Sequence, residues 1–183
     1  MLEEVSFRAL NRSDFPLLQR WLSEPHVDAW WHQPLDLAGI EHKYGPRVDE
    51  IEPTYVFMIE YGNRLIGWIQ WYRWSDYPEH AVQLGAEPEA AGIDLAIGEP
   101  GMIGLGLGPL AIQEFLKRVV FDDHNIRAVI TDVDERNLRS LRAFEKVGFA
   151  ATRTVQLRGE SFQRRVMRLK EPSTRAGTEI VKE

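Results

Sequence analysis

The chain has 183 residues, 22 Lys and Arg against 28 Asp and Glu for a formal net charge of −6, and no cysteine. That length suits one domain, which hides roughly 70% of the surface its unfolded chain exposes and needs no covalent staple. The acidic balance speaks against a general nucleic-acid binder, and the missing thiols exclude disulfides, thiolate zinc sites and a cysteine acyl-enzyme. The five histidines are scattered without metal-ligand spacing. Met1-Leu2-Glu3-Glu4-Val5 is acidic where a signal peptide is basic, and no apolar run nears the roughly 18 residues that span a membrane. The expectation is a soluble, cytoplasmic chain with neither metal nor membrane partner.

Residues 5–10 alternate as a first strand. Ser13 or Asp14 should cap a helix whose Leu17, Leu18, Trp21 and Leu22 share a face, with Pro25 as its end. Asp36 opens a second helix through Leu37, Ile40 and Tyr44, stopped by Gly45-Pro46. Residues 55–61 and 65–74 form a hairpin across Gly62-Asn63. Residues 75–90, rich in Pro, Gly and acids, read as an irregular connection. A strand at 92–98 leads into a loop with Gly101, Gly104, Gly106 and Gly108, then a helix from about Pro109 to Val120. A strand at 127–132, a helix at 137–146 closed by Gly148, and strands at 150–157 and 162–169 follow. The order predicts an α+β domain over 1–170: seven strands in a mixed, mostly antiparallel sheet, about four helices, and a polar tail at 171–183.

Closely spaced glycines between a strand and a helix let backbone N–H groups converge where the helix dipole is positive, which suits phosphate oxygens; a plain strand-to-helix turn is the other reading. No Lys-Ser or Lys-Thr follows, so this is not a Walker A loop. Mid-chain glycines after a β-meander also fit a dinucleotide fold poorly. Ile103-Gly104-Leu105-Gly106-Leu107-Gly108 resembles the Arg/Gln-x-x-Gly-x-Gly/Ala loop of the GNAT N-acetyltransferases. Residues 137–149, with Asn137, Ser140, Phe144, Lys146, Gly148 and Phe149, resemble that superfamily's second signature, Asn-x-x-Ser/Ala-x-x-x-Tyr-x-Lys-x-Gly-Phe. The resemblance implies the GNAT fold and acetyl-CoA as cofactor. Its pyrophosphate would lie on the 104–108 backbone before Pro109, its pantetheine arm beside Leu95, Ala96 and Ile97. Asn137, Ser140, Phe144 and Lys146 would line the lower arm. The loop departs from the family at Ile103, where Arg or Gln is usual, and the signature departs at Phe144, where the family's Tyr acts as acid.

The N-terminal half narrows the acceptor. His26-Val27-Asp28-Ala29-Trp30-Trp31, Tyr44-x-Pro46, Gln70-x-Tyr72, Gly92-Ile93-Asp94 and Thr131-Asp132 resemble the aminoglycoside 6′-N-acetyltransferases, implying a polycationic aminoglycoside, with monomer or homodimer open. By that resemblance Trp30, Trp31, Tyr44, Gln70, Tyr72, Glu79, Asp94 and Asp132 would hold the acceptor. Acetylation of a siderophore precursor or other small amine is the alternative, and a non-catalytic acyl-CoA-binding domain a third. No Lys or Arg lies between Arg73 and Lys117, while seven acids do, from Asp76 to Glu114; a cleft of one sign draws in the opposite charge. Trp68, Gln70, Tyr72 and Trp74 share one strand face by the period of two. Asp94, alone in an apolar strand, is the candidate base, with the backbone N–H near Leu95 and Ala96 as candidate oxyanion donors. Asp132, at the end of a strand that should open onto the same cleft as Asp94, is the candidate anchor for a distant ammonium of the substrate.

Overall fold

The computed structural model describes residues 4–33 and 36–170. In chain order the elements are β1 (Val5–Ala9), α1 (Phe15–Leu22), α2 (Pro25–Trp31), α3 (Leu37–Val48), β2 (Thr54–Tyr61), β3 (Arg64–Arg73), α4 (Pro78–Leu84), β4 (Ala90–Ile97), α5 (Leu107–Phe115), β5 (Ala128–Asp134), α6 (Leu138–Val147), β6 (Ala150–Val155) and β7 (Arg164–Lys170). The strands form one sheet in the order β1-β2-β3-β4-β5-β7-β6. Every neighbouring pair is antiparallel except β4 and β5. The seven-stranded mixed sheet is the one expected from the sequence. The tail at 171–183 lies outside the described residues.

Helices cover both faces of the central strands, and alternation along each strand decides which side chain meets which layer. Ile69 and Trp71 of β3, with Ile93 of β4, bury against Ala111, Ile112 and Phe115 of α5 and Leu141 and Phe144 of α6. The opposite face, through Met58 and Trp68, buries against Leu18, Trp21 and Leu22 of α1, Val27 of α2, and Ile40 and Tyr44 of α3. Tyr72 and Trp74 continue that second face under Ala81 and Leu84 of α4. Thus Trp68, Gln70 and Tyr72 do share a face.

The β2–β3 hairpin closes on Gly62 and Asn63, both left-handed (φ 54° and 60°), which matches the twist of the strands they join. Gly148 takes the left-handed position that ends α6.

Several boundaries move. Among the described residues there are six helices rather than about four. Pro25 does not merely end α1: it opens α2, which carries Trp30 and Trp31 on a helix rather than a strand or loop. The connection at 75–90 holds α4, started by Pro78 and closed by left-handed Gly85. α3 runs past Gly45-Pro46 to Val48, because a proline in a last turn forfeits only one hydrogen bond. Neither Ser13 nor Asp14 caps α1 with its side chain. Asn11 caps a short 3₁₀ turn instead, and Asp14 is taken by a bidentate pair with Arg8 at 2.7 Å for each bond.

β3 and β4 approach closely at Gly67, where an added Cβ would collide with the backbone carbonyl of Ala96. Gly67→Ala should therefore destabilise by about 1–3 kcal/mol, read as a lower urea midpoint with an unchanged slope. An unchanged midpoint would mean the two strands relax freely there.

Candidate active site

β4 and β5 pair at only two positions, Ala90 with Ala128 and Ala91 with Val129. Beyond them β4 stays with β3 as far as Ile97 and β5 with β7 as far as Asp134, so the sheet splits. Thr131 Oγ1 donates to Ile93 O at 2.9 Å across the start of the gap. His26 Nε2 meets Ile97 O at 2.9 Å and ties α2 to the far end of β4.

Two clefts open on this split. One, of about 720 Å³, is walled by Leu95, Ala96 and Ile97 of β4, by Ile103, Gly104, Gly106, Leu107, Gly108 and Pro109, and by Asn137, Ser140 and Lys146. The other, of about 470 Å³, is walled by Gln70, Tyr72, Asp94 and Asp132. Trp30, Trp31, Leu95, Asn137 and Ser140 belong to both walls. The two clefts therefore adjoin along these five residues.

In the larger cleft, Gly104 and Gly106 are left-handed at φ 80°, a conformation that costs any other residue. Gly108 is not, and a Cβ at Gly104, Gly106 or Gly108 would meet nothing within 4 Å. Packing therefore gives no reason for glycine at 108, whereas close approach of a ligand to the backbone does. No side chain caps α5, so its first N–H groups face outward with the positive end of the dipole. Leu105 is turned to solvent, 64% exposed, and does not line the cleft. Arg136, Arg139 and Arg142 join Lys146 along the wall. Arg136 precedes α6, while Arg139, Arg142 and Lys146 follow at spacings of three and four residues along it and so share one face, a signal legible in the sequence for the two arginines as well as for Lys146. Asn137 accepts from Ser140 N at 3.1 Å and is thus a helix cap as well as a cleft wall. Phe144, though it reaches the smaller cleft, is a core ring edge-on to Phe149 at 5.0 Å.

In the smaller cleft Gln70 stands opposite Asp94 and Tyr72 opposite Gly92, so all project to one side of the sheet. Gln70 Nε2 donates to Asp94 Oδ2 at 2.9 Å. Burial pushes the Asp94 carboxyl above its ordinary range; Gln70 pulls it down, Asp132 adds to the rise, and His80 and Arg47 oppose it. Burial likewise raises Asp132, against Arg164 and His80. Trp31 leans on Trp68 at 5.0 Å, while Trp30 stays 38% exposed.

Four expectations need correction. Asp132 does not end its strand, since β5 runs on to Asp134; it shares the cleft with Asp94, but its side chain is 6% exposed, 3.2 Å from Arg164 and 3.7 Å from His80. Tyr44 lies wholly buried beneath the cleft, its phenol pushed up to about 12, chiefly by burial. Glu79 is exposed on α4, and its neighbour His80 takes the place on the wall. The acidic interval does not line the cleft either, apart from Asp94. Glu87, Glu99 and Glu114 pair with Arg168, Arg20 and Arg118. The cleft's other acids, Glu52, Asp134 and Glu160, come from elsewhere, and Lys43, Arg47 and Arg164 stand among them. Among the described residues no cluster of His, Asp and Glu could hold a metal ion, and no helix is long and apolar enough to cross a membrane.

Residues 11–157 match the family model described as an acetyltransferase (GNAT) domain. The chain belongs to the GNAT acetyltransferases. This acetyltransferase is 26% identical over 156 residues to aminoglycoside N(6′)-acetyltransferase type 1 of Klebsiella pneumoniae, covering 84% of this chain and 77% of that protein. It is 22% identical over 143 residues to the lysine N-acyltransferase MbtK of Mycobacterium tuberculosis, covering 77% and 66%. The crystal structure of aminoglycoside acetyltransferase AAC(6′)-Ib with coenzyme A and kanamycin superposes with a TM-score of 0.77 at 26% identity, covering 91% of this chain and 95% of that one.

The raised Asp94 carboxyl has a consequence for stability. A group that binds its proton more tightly when folded contributes stability below its unfolded pKa of about 3.9, and that contribution is lost as pH rises through the folded value. Asp94→Asn should therefore melt at a higher temperature than the wild type at pH 7.5, with the difference closing toward pH 4. A variant no more stable than wild type at pH 7.5 would show that Gln70 and the nearby cations fully compensate the buried charge.

Proposed function

We propose that this acetyltransferase moves the acetyl group of acetyl-CoA directly to the 6′-amine of an aminoglycoside in a ternary complex. The observation that carries the reading is the wall the two clefts share at the β4–β5 split, with Asp94 next to the shared Leu95. A direct transfer needs both ligands to meet at one point, and a chain without cysteine has no thiol to carry the acetyl group between them. The acceptor follows the 6′-acetyltransferase relatives, and the 470 Å³ cleft with five carboxylates among its walls suits a cationic sugar.

The residues present fit the cofactor. The open glycine backbone at 104–108 and the uncapped end of α5 would take its pyrophosphate. Arg139, Arg142 and Lys146 supply the positive charge that Ile103 does not. When bound, acetyl-CoA supplies the thioester carbonyl that an amine attacks. Asp94 accepts the proton that the amine sheds as the C–N bond forms. The β4 edge that faces the gap has no strand beside it from Gly92 onward, which leaves N–H groups near Leu95 and Ala96 for the carbonyl oxygen. As the C–S bond breaks, coenzyme A would leave as a thiolate that takes its proton from solvent, tolerable for a thiol with a pKa of about 8.5, because Phe144 has no proton to give. Tyr72 keeps its own, because burial, then Asp94 and Asp132, push its phenol well above the ordinary range.

A second reading has one observation in its favour. Lys43 and Arg47 reach into the acceptor cleft, and cations there suit an acceptor that carries a carboxylate near its amine.

CoA release over a panel separates the two. Kanamycin should be turned over and its 6′-hydroxyl analogue should not, with Asp94→Asn lowering kcat by about 10². Turnover of N6-hydroxylysine without any aminoglycoside would transfer the assignment to the second reading. Gly108→Val should raise the acetyl-CoA KM about tenfold at an unchanged melting temperature, since its Cβ enters ligand space only. An unchanged KM would remove the pyrophosphate from this loop.

A further inference from the structure

Arg47 lies just past Gly45-Pro46, where the sequence pattern ends the helix; only because α3 continues to Val48 does its side chain reach the acceptor cleft. There it is over-determined. Its Nε donates to Glu52 Oε1 at 2.9 Å and its Nη2 lies 2.7 Å from the same oxygen. The guanidinium sits 5.2 Å above the Tyr44 ring, and the side chain is 12% exposed. The remaining edge donates through Nη1 to Gln70 Oε1 at 3.0 Å. Gln70 is 7% exposed, and its other end is the Nε2 that donates to Asp94 Oδ2 at 2.9 Å.

The two ends of that amide are not interchangeable. A guanidinium only donates, so the Gln70 atom facing it must be the carbonyl oxygen. Turning the amide over would set NH₂ against the guanidinium and oxygen against a carboxylate, two repulsions in place of two hydrogen bonds, in a setting where unpaired polar atoms are costly.

We propose that Arg47 is a positioning residue: through Gln70 it fixes which face of the amide is offered to Asp94, so that Asp94 Oδ2 is anchored and the carboxylate is held in one orientation toward the incoming amine. Glu52 holds Arg47 in turn, and the series Glu52, Arg47, Gln70, Asp94 runs from α3's end through β3 to β4. The role rests on the reading of Asp94 as the base. The charged and titratable groups around Asp94 are Lys43, Tyr44 and Arg47 from α3, Tyr72 from β3, His80 from α4 and Asp132 from β5. Tyr72 acts on Asp94 directly through a side-chain hydrogen bond, and Arg47 reaches it through Gln70.

The test follows the Asp94 carboxyl by carbon-13 NMR titration of the free protein beside the pH dependence of kcat/KM. Arg47→Met should move the Asp94 midpoint upward and the acid limb of kcat/KM with it, lowering the rate on that limb about tenfold. Arg47→Lys, which keeps a donor for Gln70, should restore most of both. Gln70→Met should match Arg47→Met, and the double variant should add little to either. Additive shifts would mean that Arg47 acts on Asp94 through space and would overturn the relay, as would an unmoved midpoint in Arg47→Met. The wild-type protein gives a reading that does not depend on any variant folding: a Gln70 side-chain amide proton should shift with the Asp94 titration, and one that ignores it overturns the proposal. Failure of the wild type to acetylate any aminoglycoside would sink the acceptor assignment alone, since the titrations need no acceptor.

Discussion

Everything at the site depends on β4 leaving β5 after two residue pairs. A parallel pair must be fed by a crossover, and here the crossover is α5, whose start is the glycine loop. Because β4 keeps its ladder with β3 and β5 keeps its ladder with β7, the sheet opens without either half losing its own register. The unladdered edge of β4 needs partners for its polar groups. A ligand lying along Leu95 to Ile97 would supply them as a third strand would. The loop, the α6 cap at Asn137 and the indoles of α2 all converge on that one opening.

The electrostatics of the smaller cleft are a set of compensations rather than a field of one sign. Asp132 is neutralised by Arg164 and faces His80, Glu52 is spent on Arg47, and Glu160 pairs with Arg164 at 2.7 Å. Asp94, by contrast, is held by neutral groups, the Gln70 amide and the Tyr72 phenol. In a low-dielectric pocket this makes it the group with the strongest call on a proton or an ammonium. On the proposed reading, discrimination between acceptors would rest on how each fits between Asp94 and the cations Lys43 and Arg47.

Most of the framework was legible in the sequence. Alternation gave the seven strands, and glycine and proline punctuation gave the hairpin, the cofactor loop and the end of α6. Resemblance to the acetyltransferase motifs led to Gln70, Tyr72 and the glycines, and a lone carboxylate in an apolar strand to Asp94; all of these line the two clefts. The failures share a cause. Short helices at prolines escaped because Pro25 and Pro78 read equally as stops and as first-turn residues. Tyr44, Glu79 and Asp132 were misplaced because a position near a motif does not say whether its side chain ends in core, solvent or an ion pair. The Arg47 and Arg164 pairings join residues far apart in the chain, and no local pattern encodes them.

The shared walls have a thermodynamic consequence. Trp30 and Trp31 close both clefts from one seven-residue helix, fastened at His26 to the end of β4 and through Trp31 to Trp68. A ligand that resets these indoles on one side alters the free energy of filling the other, and the coupling is reciprocal: whatever factor the first ligand imposes on the second, the second imposes on the first. In this fold the affinity for one partner is a property of the pair.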